Sequence, residues 1–216
     1  MQTQEKSAIE KQPKTEKRYY TPEEYLALEE TAIDKSEYHD GEIVTMTGGT
    51  TNHNKLAGNF YKKFPLTIKE QDYEIFINDV RLWIPQTRRY VYPDIMVIQE
   101  EPIYQENNQT VVTNPLVIIE VLSNSTKNYD RGNKFFFYRS IPTFREYILI
   151  DQYSYHIEQF AKNSKSKWEL TEYDSEDSVL TLESVEFQIP MRDIYQRINF
   201  EANAEEVNEL TDEIQQ

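Results

Sequence analysis

The chain has 216 residues and a formal charge of −15, with 23 Lys and Arg against 38 Asp and Glu. That balance argues against a protein that coats DNA through a basic surface, because phosphate binding needs local positive charge; it leaves room for an enzyme with a small basic cleft. There is no cysteine, which excludes disulfides, thiolate metal sites and cysteine nucleophiles and fits a reducing compartment.

The hydrophobic share is 38%, but 16 Tyr and 10 Phe supply rings bulky enough to fill a core, so the chain as a whole is expected to fold. Residues 1–18 lack the apolar run of a secretory signal. No stretch approaches the ~20 apolar residues that cross a bilayer. The expectation is a cytoplasmic protein without a membrane partner: a flexible segment over 1–18, a single domain over 19–200, and an acidic, disordered tail over 201–216 with six acids and no base.

Thr21-Pro22-Glu23-Glu24 joins a capping residue, Pro at the first helical position and Glu three residues after the cap, which starts a helix. Residues 36–40 and 42–46 read as a hairpin around Asp40-Gly41. Leu56, Phe60 and Phe64 recur four apart, predicting a helix that Pro65 must end or kink. Strands are expected over 73–77, 80–84 and 90–98, the last with Pro93 in its middle. Residues 116–122 (LVIIEVL) form the most strand-like run, buried on both faces. A helix over 131–139 and a strand over 145–150 follow. Runs over 153–161, 167–173 and 184–188 suit an antiparallel meander, with a last helix over 191–198. The order gives an α+β (mixed α/β) domain without internal repeats.

Glu120 interrupts the apolar 116–122 run. Either the strand lies at an edge and Glu120 meets water, or the carboxylate is paired, protonated or bound to a cation. Asp94 stands in the same situation, following Pro93, which breaks a ladder and can open space for a ligand. Two carboxylates at the bends of neighbouring strands are the minimal protein share of a Mg²⁺ or Mn²⁺ site, with the Val121 carbonyl as a third ligand. Such an ion activates water against a phosphodiester.

Tyr92-Pro93-Asp94, Ile119-Glu120-Val121-Leu122-Ser123, and then Asp130, Lys134 and Tyr138 resemble the PD-(D/E)XK nuclease superfamily. More closely, they resemble its large restriction-endonuclease-like family abundant in cyanobacterial genomes. Glu37-x-x-Asp40-Gly41-Glu42 and His53 match upstream, so the likeness covers roughly 20–160. It implies a restriction-endonuclease-like core, a central mixed sheet flanked by helices, and metal-dependent hydrolysis of DNA. Asp94, Glu120, Lys134 and Glu37 would be the catalytic residues.

One position departs from the superfamily pattern. Lys usually stands two residues after the second acid, where this chain has Leu122. Lys134 on the following helix is the candidate to place its amine at the same point; its alternative is a solvated helix charge paired with Asp130. Lys127, in a Ser/Thr/Asn-rich loop, is a weaker competitor.

Glu37 is either an accessory acid or an exposed residue before the turn. His53 either touches phosphate and carries protons or caps a helix. Tyr138 is expected to pack. Residues 123–145 carry five bases, Arg131 among them, against Asp130 alone, a local reversal that suits phosphate. Competing readings are a catalytically silent nuclease fold that binds nucleic acid or protein, and an acidic regulatory or assembly protein. Cutting two strands is compatible with a homodimer.

Overall fold

Pro93 divides the 90–98 run into two strands that belong to different sheets, because a residue without an N–H cannot continue a ladder. The structure is a computed structural model that describes residues 18–105 and 108–201. Apart from Arg18 and Glu201, the segments expected to be flexible at 1–18 and 201–216 lie outside the described residues.

The chain opens with α1 (Pro22–Glu29), started by the capping box read from Thr21 and Glu24. The hairpin is β1 (Ser36–His39) and β2 (Glu42–Thr45), with Asp40 and Gly41 both at positive φ in the turn. Helix α2 (Thr51–Lys63) stops before Pro65 and turns Leu56, Ala57 and Phe60 inward. Then come β3 (Thr67–Ile68), β4 (Gln71–Ile77), β5 (Arg81–Ile84), β6 (Arg89–Val91), β7 (Ile95–Gln99), β8 (Tyr104–Gln105), β9 (Asn108–Val112) and β10 (Val117–Leu122). The helical stretch over 127–138 is α3 (Lys127–Tyr129), a π turn (Asp130–Lys134) and α4 (Phe135–Tyr138). It starts four residues earlier than the apolar pattern suggests. Strands β11 (Glu146–Asp151), β12 (Ile157–Lys162), β13 (Trp168–Tyr173), β14 (Val179–Thr181) and β15 (Gln188–Pro190) precede the short α5 (Met191–Ile194).

Among the described residues the larger sheet runs β13-β12-β11-β10-β7-β4-β3 and is mixed, since β10 and β11 are parallel and its other pairs antiparallel. The smaller sheet runs β2-β1-β6-β5-β9-β8. The fold is thus the α+β, mixed-sheet class expected. The meander is only partly as expected. Strands β12 and β13 extend the central sheet, whereas 184–188 is mostly a bend leading into β15, which pairs with β14. The last helix ends at Ile194 rather than Ile198.

Strand β10 lies between β7 and β11 and is buried throughout. Its Val117, Ile119 and Val121 pack with Leu56 and Phe60 of α2 on one side; Ile118 and Leu122 pack with Phe135 and Tyr138 on the other. The alternation of a strand and the two covering layers account for this division. Tyr25, Tyr38 and Tyr90 form a separate ring cluster that fastens α1 to the smaller sheet, with centroids 5.3–6.0 Å apart.

Candidate active site

Breaking a ladder leaves main-chain N–H groups that need acceptors. Around Pro93 the acceptors are acidic side chains. Tyr92 N donates to Glu37 Oε1 at 3.2 Å, Asp94 N to Glu120 Oε2 at 3.4 Å, and Val121 N to Asp94 Oδ2 at 2.8 Å. Asp94 and Glu120 therefore brace each other's strands, β10 and the start of β7. Glu120 is 2% exposed in a central strand, so it does not point to water from an edge.

The helical layer brings the amine. Lys134 Nζ lies 2.9 Å from Glu120 Oε1 and 3.4 Å from Asp130 Oδ1, and Tyr138 Oη donates to the same Glu120 oxygen at 2.7 Å. The π turn packs Asp130 and Lys134 inward together, and Tyr138 follows one turn later on the same face. Lys134 is buried, not a solvated helix charge.

From α2, His53 Nε2 reaches Asp94 Oδ2 at 3.0 Å, while Thr50 does the capping by accepting from His53 N at 3.1 Å. Glu37, 8% exposed, bonds His39 Nε2 through Oε2 at 2.8 Å. The His39 ring stacks on Tyr129 at 6.0 Å. Lys127 and Arg131 stand apart from this cluster: Lys127 donates to Asn124 Oδ1, and Arg131 pairs with Glu158 at 2.6 Å.

Burial is the largest influence on Glu120 and pushes its carboxyl up; Lys134 opposes this, and the Asp94 and Asp130 charges reinforce it. Burial works against the Lys134 ammonium, yet the carboxylates of Glu120, Asp130 and Glu37 hold it well above its ordinary value. These two demands conflict, because a neutral Glu120 withdraws the nearest of those charges. Asp130 and Glu37 also face the Lys134 ammonium and favour its charged form. For Glu37 burial pushes upward, but the bond from His39 and the Lys134 charge carry the carboxyl below its usual range. For His53 burial disfavours the charged ring, and the bond to Asp94 outweighs it, so its pKa is raised.

Sequence reasoning missed Gln152, His39 and Tyr129. Gln152 is wholly buried; its Nε2 donates to Leu122 O at 2.7 Å, and its Oε1 accepts from Thr50 Oγ1 at 2.5 Å. It ties the end of β10 to the cap of the helix that carries His53. The signal for His39 was its place two residues from Glu37 on one strand face; for Gln152 there was none.

A family model described as "Uma2: Putative restriction endonuclease" matches residues 22–192. The chain belongs to this family. An uncharacterized protein of Synechocystis sp., sll1609, is 48% identical over 158 residues, 73% of this chain and 89% of that one. A second from the same organism, slr1290, is 34% identical over 180 residues, 83% and 93% of the two chains. The crystal structure of a "putative nuclease belonging to DUF820" from Anabaena variabilis ATCC 29413 matches at a TM-score of 0.65. It has 17% identity and covers 83% of this chain and 99% of that one, a likeness of fold. The acids and lysine braced around Pro93 lie within the residues matched to the Uma2 family. Among the described residues no helix is long and apolar enough to cross a membrane.

Proposed function

We infer that this Uma2-family chain is a metal-dependent phosphodiesterase that hydrolyses DNA. The observation that carries the reading is the convergence of Asp94 and Glu120, from facing strands, with the Lys134 amine 2.9 Å from Glu120. In this reading Lys134 supplies the amine that the usual lysine position, occupied here by Leu122, lacks.

The donor set suits a hard divalent cation. Among the described residues no group of three or more His, Asp or Glu is spaced to hold an ion alone. Mg²⁺ needs only one or two carboxylates, with water and phosphate oxygens completing six ligands. His53 and Val121 N both meet Asp94 at Oδ2, and Oδ1 is the oxygen assigned to the cation in this reading. Glu120, forced toward its neutral form by burial and by Asp94 and Asp130, would regain its charge beside one. Asp94, Glu120 and the Val121 carbonyl are the proposed ligands of Mg²⁺ or Mn²⁺. A bound ion would neutralise phosphate charge and lower the pKa of its water.

Lys134 orients the attacking water and offsets the phosphate charge. Glu37 helps hold that lysine as an ammonium. His53, bonded to Asp94, faces the phosphate and can move a proton. Lys127 and Arg131 are left with a peripheral share in substrate binding.

Supercoiled plasmid with Mg²⁺, Mn²⁺ or EDTA tests the reading, with Asp94→Asn as the control that preserves shape. Cation-dependent nicking that falls at least about 100-fold in the variant is expected. Equal nicking by both proteins would overturn it. The occupation of Glu120 Oε1 by both Lys134 and Tyr138 favours a second reading, a silent nuclease fold. That reading takes over if DNA is retained without nicking.

A further inference from the structure

The bases clustered in the 123–145 segment part company in the fold. Lys134 goes to Glu120 and Asp130, and Arg131 to Glu158. Arg139 and Arg145 are exposed, and among the described residues neither has a carboxylate within ion-pair distance. A third base, Lys162 at the end of β12, joins them.

Arg139 lies 4.9 Å over the Phe135 ring, Phe135 meets Trp168 edge-on at 5.1 Å, and Trp168 pairs across the strands with Lys162. Lys162 N in turn donates to Arg145 O at 2.9 Å. Arg139 and Lys162 thus flank one aromatic patch, and Arg145 adjoins Lys162 through the main chain. Arg145 and Lys162 line a cleft of about 470 Å³ together with Pro142, Asn163, Ser164 and Ser166, a polar wall without an acid. Glu100 lines the adjoining cleft beyond Arg145, and Glu169 is engaged by Asn163 Nδ2. Phe136, 60% exposed, sits 5.6 Å from Arg139.

We propose that this groove binds the phosphate backbone of a nucleic-acid strand through Arg145 and Lys162, and that the patch reached through Trp168 and Phe135 extends it with Arg139 as a third phosphate contact and Phe136 as a stacking ring. In a chain of −15 charge, unpaired bases interleaved with rings match the two components of strand binding, phosphate attraction and base stacking. The inference rests on the nuclease reading and gives it an anchoring surface. Arg145 N donates to Leu116 O, and Leu116 precedes Glu120 by four residues along the chain. At ~3.3 Å per residue the main chain of Arg145 lies ~13 Å from that of Glu120 along β10. That is about four base steps of a strand.

The test is fluorescence anisotropy of labelled duplex and single-stranded DNA, without divalent cation and across a salt series. It compares the wild type with the triple variant Arg139→Gln, Arg145→Gln, Lys162→Gln. For duplex, the slope of log affinity against log salt should become shallower by about 2–3, each lost phosphate contact being worth about 0.9. Mn²⁺ binding by calorimetry should not change. Equal slopes overturn the groove, and cation-dependent nicking would then leave the catalytic reading standing. A shallower slope without nicking keeps the groove and overturns catalysis. Inorganic phosphate that displaces DNA better than chloride at equal ionic strength marks a small-anion pocket and overturns the strand reading.

Discussion

Lys134 bridges a strand and the helix that covers it, its ammonium lying between Glu120 of β10 and Asp130 of the π turn. All three side chains are at most 10% exposed, so the cation holds two buried carboxylates in place. Removing one partner of such a group leaves charge uncompensated. Lys134→Met should destabilise the fold by about 3 kcal/mol, and adding Glu120→Gln should return much of that. Urea unfolding of both single variants and the double variant measures the coupling; strictly additive losses would show that the amine does not act on Glu120.

Calorimetric titration of Mn²⁺ isolates Glu120 as a ligand. Glu120→Gln can still accept from Tyr138 Oη but presents a neutral oxygen to the ion. A drop in affinity of more than about tenfold is expected. Equal affinity in both proteins would remove Glu120 from the metal site.

The depressed Glu37 carboxyl makes stability depend on pH on the acid side. Its pKa in the fold is below the ordinary value, so its contribution is present above that ordinary value and is lost as pH falls through the depressed one. Glu37→Gln removes that loss. The stability gap between wild type and variant should therefore narrow from neutral pH to about pH 3, read from urea midpoints. A constant gap would contradict the shift.

Gln152 joins the Leu122 carbonyl to the Thr50 cap. Gln152→Leu leaves both groups without that partner and should cost about 2 kcal/mol. Nicking should fall further than stability explains, because α2 carries His53 to Asp94. Activity that tracks the folded fraction alone would make Gln152 purely structural.

Gly41 has φ of +105° and a Cβ there would stand 2.8 Å from Tyr19 Cδ1. Gly41→Ala should lower stability by about 1–2 kcal/mol through strain and crowding. An unchanged thermal midpoint would show that the turn relaxes.

The sequence made Asp94 and Glu120 visible because each places a charge in or beside a run of buried β-formers. The same rule would have flagged Glu146, which is fully buried in β11. There the carboxylate accepts from Glu183 N, Ser184 N, Ser184 Oγ and Gln159 Nε2, neutral donors that tie down a turn. A buried acid thus marks a constraint, and only its neighbours tell catalysis from architecture. Lys134 was legible through the likeness of Asp130, Lys134 and Tyr138 to the family helix, but the π turn that packs it inward was not. That turn changes hydrogen bonding without changing composition. The strand expected over 184–188 failed for a related reason: its alternation serves a bend that packs Val185 into the core. Gln152 was hidden because its partners, Leu122 and Thr50, lie far away along the chain.

The change of sheet at Pro93 also separates the ownership of the acids. Glu37 rides on the smaller layer, whereas Asp94 and Glu120 belong with the larger one, and the Tyr92 amide is a rivet between them. Damage to the Tyr25, Tyr38 and Tyr90 rings would thus surface first as misaligned chemistry, while the strands around β10 kept their shape.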